Sequence, residues 1–212
     1  MGSARKIGHR PPSCTLRLNV RRWHSCAASP RLAVALMIML SGSVPAPAQN
    51  NPPSEYQLKA AFLYSFAKFI DWPSSSFASP QSPFAICILG LDPFGPVIDD
   101  TLRGKTVGDR PVVILRARDS AEVRHCQIVF ISSSEKRRLP DIFAALQGAN
   151  VLIVGESDRF ADSGGTIQLM LEENHIRFAI NTDVAESSGL RISSKLLALA
   201  RVVHSSAESG KN

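Results

Sequence analysis

Four short stretches, residues 84–89, 112–115, 127–131 and 151–154, are apolar almost throughout and lack the polar alternation of a strand that shows one face to water. Strands of this kind need cover on both faces, as in a parallel sheet between two helical layers. The neighbouring segments agree. Residues 94–102 and 135–146 read as helices, with Gly148 as a stop for the second. After Gly164-Gly165 the pattern changes, and residues 166–171 and 176–180 flank Glu172-Glu173-Asn174-His175 as an antiparallel hairpin. Asn181 or Thr182 is then placed to cap a short helix, and Ser193 or Ser194 to open a final helix through Val203. The expected fold class is α/β, a single domain with a mainly parallel sheet covered by helices on both faces and an antiparallel C-terminal hairpin.

Ahead of the first strand, Ser54 can cap a helix that begins at Glu55 and continues to Ile70. At about 100° per residue, Leu58, Phe62, Leu63, Phe66, Phe69 and Ile70 fall on one arc. Lys59 lies inside that arc, where it must snorkel or meet an anion. Trp72-Pro73 ends the helix, because a residue before proline is pushed out of the α region. Packing of this aromatic helix on the sheet is expected in preference to a partner-binding aromatic face.

Residues 1–48 read as a secretory signal peptide, with an organellar transit peptide or a misplaced start codon as the alternative that the long, Arg- and Ser-containing leader leaves open. Seven cations and no anions accompany the nine apolar residues 32–40, and Ala46-Pro47-Ala48 supplies small residues for cleavage. Nine residues reach only about half of the ~30 Å hydrocarbon core, so no membrane span is expected after cleavage. The net charge of +6 belongs to this segment, since residues 49–212 carry 17 cations against 18 anions. Nucleic-acid binding through a basic surface is thereby excluded. The remaining 164 residues divide into a linker 49–54, a domain 55–204 and a tail 205–212 expected to fray. Cys87 and Cys126 alone survive cleavage, either as a disulfide or as two buried thiols. A bridge closing a loop of this size contributes ~4 kcal/mol in the chain-entropy model.

No catalytic constellation emerges. His125, His175 and His204 are widely spaced, without a metal-binding partner pattern, and no serine sits in a nucleophile elbow. The turn Gly90-Leu91-Asp92-Pro93-Phe94-Gly95 follows a strand and precedes a helix, a place where small anions bind in α/β folds, but it has neither Walker nor dinucleotide spacing.

Taken in order, Glu55-Tyr56-Gln57-Leu58-Lys59-Ala60-Ala61-Phe62-Leu63-Tyr64, Phe69, Trp72-Pro73, Cys126-Gln127-Ile128-Val129-Phe130-Ile131 and the stretch 160–165 resemble the YfiR family. So do Phe178-Ala179-Ile180-Asn181 and residues 189–197, and the similarity covers about residues 55–203. What the resemblance implies is a periplasmic regulator with no enzymatic activity and no cofactor or metal. Such a protein binds and inhibits the periplasmic part of a membrane diguanylate cyclase of the YfiN type, controlling cyclic-di-GMP and biofilm, and an outer-membrane partner of the YfiB type sequesters it. A homodimer is a further implication. The resemblance also places a disulfide at Cys87 and Cys126, and a second family cysteine pair near Ala161 and Gln168, which this chain lacks. Ala179 stands where relatives often carry Glu. The partner contact is expected at Ile167, Phe178 and Asn181, with the aromatic helix as second choice. The rival reading is a periplasmic small-ligand-binding or sensor accessory protein, for instance for a histidine kinase, using the Gly90–Gly95 turn.

Overall fold

The computed structural model describes residues 53–204; the expected presequence, most of the linker and the tail 205–212 lie outside them. Ser54 caps the first helix, α1 (Glu55–Phe69), by accepting from Gln57 N. Trp72 closes it by donating its indole N–H to Ala67 O at 3.0 Å, satisfying a carbonyl that the helix itself leaves without a partner. The chain continues through β1 (Ile70–Asp71), β2 (Phe84–Leu89), α2 (Pro96–Leu102), β3 (Thr106–Val107), β4 (Arg110–Ala117) and β5 (Ile128–Ile131). Then follow α3 (Leu139–Leu146), β6 (Leu152–Gly155), β7 (Ile167–Glu172), β8 (His175–Asn181), α4 (Thr182–Ser187), β9 (Arg191–Ile192), α5 (Ser194–Leu197) and β10 (Arg201–Val203).

Eight strands form one sheet in the order β10-β8-β7-β6-β5-β2-β4-β3, while β1 pairs separately with β9. β4, β2, β5, β6 and β7 run parallel to one another. β7 and β8 are the expected antiparallel hairpin, and their turn is only Glu173-Asn174, both at positive φ. Asparagine tolerates that conformation better than most residues.

The continuous apolar strands are explained by two cores. Phe84, Ile86 and Ile88 of β2 join Phe130, Val154, Ile180 and the inner faces of α1 and α2. Ala85, Cys87 and Leu89 point the other way, toward Ile131, Phe160 and the apolar face of α3. Period-2 alternation thus feeds both sides of one sheet, and each fully buried Leu, Ile or Phe contributes about 1.5–3 kcal/mol. Gly155 and Gly165 leave space for the Phe160 ring, which a Cβ on either would overlap.

Three sequence expectations are corrected. The final helix is a single turn at Ser194–Leu197, and Val202 and Val203 enter a strand, in keeping with their β-branched stiffness. Residues 135–146 divide into a 3₁₀ segment, Ser133–Arg138, and α3, because Pro140 cannot donate to the preceding turn. The buried arc of α1 centres on Ala60, Leu63, Phe66 and Ala67, which leaves Phe69 42% exposed.

Candidate functional site

The hairpin end of the sheet holds all three residues expected at the partner contact, but not at its surface. Ile167 is wholly buried between β6 and β8. Asn181 is wholly buried as well: its Oδ1 accepts from Val184 N at 3.1 Å, capping α4, and its Nδ2 donates to Ala161 O at 2.9 Å. An unpaired buried amide costs about 1–3 kcal/mol, so these bonds make Asn181 a joint between three segments. Phe178 alone borders an opening. A partner touching this region therefore meets the residues around Ile167 and Asn181, not their side chains.

Phe178 forms the floor of a groove of about 190 Å³ between α1 and α5, with Phe62, Ser65 and Phe69 on one wall and Lys195, Leu196 and Leu199 on the other. Its ring meets Phe62 at a tilt and Phe66 edge to face, at centroid separations of 5.6 and 5.3 Å. The two expected contact regions, the hairpin and the aromatic helix, thus meet in one apolar depression with a cationic rim. The sequence places Leu199 on the apolar side of the final helix but marks neither it nor Lys195 as a contact residue; a four-residue helix is too short for its spacing to reveal such a wall.

The apolar arc's Lys59 meets anions. Its Nζ lies 2.5 Å from both Glu55 Oε1 and Glu156 Oε2, and 4.7 Å from the centre of the Tyr56 ring. Burial works against its charge, but the hydrogen bonds to Glu156 and Glu55, with their attraction, outweigh that and hold its pKa above the ordinary value. Tyr56 is pushed upward by burial first and by the Glu156 charge second. Glu156, at the end of β6, was missed because nothing in the local sequence marks it. A cation held this way anchors α1 to the sheet and is not free to bind a substrate.

The Gly90–Gly95 turn is occupied by its own carboxylate. Asp92 Oδ1 accepts from Phe94 N at 2.8 Å and Gly95 N at 3.2 Å, and Leu91 N donates to Ser134 Oγ at 3.1 Å. Asp92 Oδ2 accepts from Arg116 Nε at 2.8 Å, while Arg116 also binds Asp99 at 2.5 Å and Gly95 O at 3.1 Å. The hydrogen bond from Arg116 holds the Asp99 carboxyl below the usual range. With donors spent and a carboxylate already present, the turn is poorly suited to another anion.

Cys87 and Cys126 are bonded, with their Cα atoms 6.1 Å apart, and both are buried. Where the family resemblance would place a second bridge, Gln168 Oε1 accepts from Ala161 N at 3.4 Å. Among the described residues no group of three His, Cys, Asp or Glu side chains could hold a metal ion.

A family model described as YfiR/HmsC-like matches residues 56–201. Among solved structures, the chain is similar to a conserved domain protein from Vibrio cholerae O1 biovar El Tor, at 12% identity over 70% of this chain and 60% of that chain, with a TM-score of 0.49. It is also similar to the ABC domain from Streptococcus pneumonia in complex with L-Trp, at 10% identity over 70% and 60%, with a TM-score of 0.47. The chain spans 60% of the length of each of these two proteins.

Proposed function

The chain belongs to the YfiR/HmsC-like family, and from that premise we propose that it is a non-enzymatic periplasmic regulator that holds a membrane diguanylate cyclase inactive. The observation that carries this reading is the extent of the family match, residues 56–201, against a described domain of residues 53–204. The reading of residues 1–48 as a signal peptide supports the compartment. No helix among the described residues is long and apolar enough to cross a membrane. A periplasmic domain of this kind acts on a cytoplasmic reaction through a partner that spans the bilayer.

Inhibition here is a population shift. The regulator must bind the inactive receptor better than the active one, and moving a 1:99 equilibrium to 99:1 takes about a 10⁴-fold difference in affinity. The contact lies at the hairpin end of the sheet, where Phe178 floors the groove while Ile167 and Asn181 hold the hairpin in place. An outer-membrane protein of the YfiB type would release the cyclase by competing for the regulator.

Deletion of the gene is expected to raise cellular cyclic-di-GMP, and the rise should vanish when the cyclase gene is deleted as well. An unchanged nucleotide level overturns the cyclase reading.

A further inference from the structure

Among the described residues, Phe69, Leu91, Leu115, Leu171, Leu199 and Val202 are the large apolar side chains that remain well exposed. Phe69, Leu199 and Val202 lie at the β10 end of the sheet, and Leu171 lies two strands in on β7. Val202 is in register with Ile180, and Leu171 with Ile176; both isoleucines belong to the α1-side core, so Val202 and Leu171 lie on that same face. Leu199 and Phe69 border the adjoining groove.

The opposite face of this edge is cationic. Arg201 is in register with Ala179 and Arg177 with Met170, both arginines exposed on the far side from α1. Arg201 reaches Glu172 at 3.2 Å, whereas Arg177 forms no ion pair among the described residues. Among the described strands β10 is bonded only to β8, so its outer edge has no strand partner among them.

Successive side chains of a strand point to opposite faces. A strand laid along β10 would therefore place the residues of one face beside Val202 and Leu199 and those of the other face beside Arg201, with Arg177 one strand further in on β8. We propose that the free edge of β10 accepts an extended segment of a partner protein in which apolar and acidic residues alternate. Main-chain hydrogen bonds supply affinity in this mode, and the alternating side chains supply selectivity. A second copy fits less well, because pairing two β10 edges gathers both copies' Arg201 and Arg177 on one face. Residues 205–212, Ser-Ser-Ala-Glu-Ser-Gly-Lys-Asn, offer no large apolar side chain for the other face.

This inference rests on the reading that the chain works by binding another protein. The gene deletion tests that role, and a peptide titration tests the edge, so either can fail alone. The probe is a capped ten-residue peptide alternating valine and glutamate, added to the purified ¹⁵N-labelled protein. Saturable amide shifts are expected at Leu199 to Val203, with affinity falling at least tenfold in Arg201→Glu and in Val202→Pro. Arg201→Glu alters an exposed side chain, and an unchanged melting temperature separates lost binding from lost folding. The proposal is overturned if those amides do not shift, if a valine–lysine peptide binds equally, or if both variants bind like the parent. It is also overturned if sedimentation shows a dimer that Val202→Pro dissociates, or if binding appears only after residues 205–212 are removed, since the edge then belongs to a second copy or to the tail.

Discussion

At the β3–β4 edge of the sheet, Arg110 donates to Ser79 O at 3.0 Å and stands 3.8 Å over the Phe77 ring, Tyr64 donates to Thr106 O at 2.9 Å, and Arg116 binds Asp92 and Asp99. At the β10 edge, three residues lie along β8 with Val202 exposed, held at their ends by Arg201 to Glu172 and by His204 to Asp183 at 3.1 Å. The first edge is tied to its surroundings by charge and cross-links, with Leu115 of β4 as its one large exposed apolar side chain among the described residues. The second keeps apolar surface at Val202, a feature that natural sheets usually avoid unless something binds there. The two ends of one sheet, sharing one core, are thus finished differently.

The largest effect is expected at the centre of the sheet. Phe130 is wholly buried between the edges, and Phe130→Ala is expected to cost about 3–5 kcal/mol in urea unfolding. Both edges should lose protection together in hydrogen exchange. Loss at one edge alone would show that they belong to separate cooperative units.

Next comes the anchor of α1. Lys59→Ala leaves Glu156 with its Lys59 partner removed, and a destabilisation of about 3 kcal/mol is expected in thermal or urea unfolding. The folded Lys59 pKa lies above its ordinary 10.5, so its contribution is complete below that value and is lost as pH rises through the folded pKa. The parent should therefore destabilise in the strongly alkaline range, and the variant should show a smaller drop there.

A smaller effect is expected at the covered edge. Arg116→Ala removes exposed ion pairs worth about 1 kcal/mol together, and amide exchange should quicken in β4 without changing in β10. At the open edge, Val202→Lys should change stability by no more than about 0.5 kcal/mol, since the position is already exposed. A larger loss there would mean that β10 is an integral strand, and the contrast between the edges would weaken.

Much of this architecture was legible in the sequence because it depends on local pattern. The continuous apolar runs implied cover on both faces, and the hairpin announced itself by its turn residues. Lys59 within an apolar arc had either to snorkel or to meet an anion, and Glu156, 97 residues away, could not be identified from any local signal. β10 was read as helix because Leu196, Leu197, Leu199 and Ala200 share helical spacing, while the edge of β8 that pulls Val202 and Val203 into a strand is a tertiary fact. Phe178, Ile167 and Asn181 were found as a neighbourhood, but sequence alone did not distinguish the side chain lining a groove from the two that hold it together.

The bond between Cys87 and Cys126 makes the intervening 39-residue step a closed covalent ring, and that ring contains α2, β3 and β4, the whole of the covered edge. A protease that cuts one peptide bond inside it opens the ring without dividing the molecule. Separation into two pieces then also requires a reductant. The hairpin and β10 lie outside the ring, so a single cut there divides the chain at once, leaving only packing to hold the fragments together.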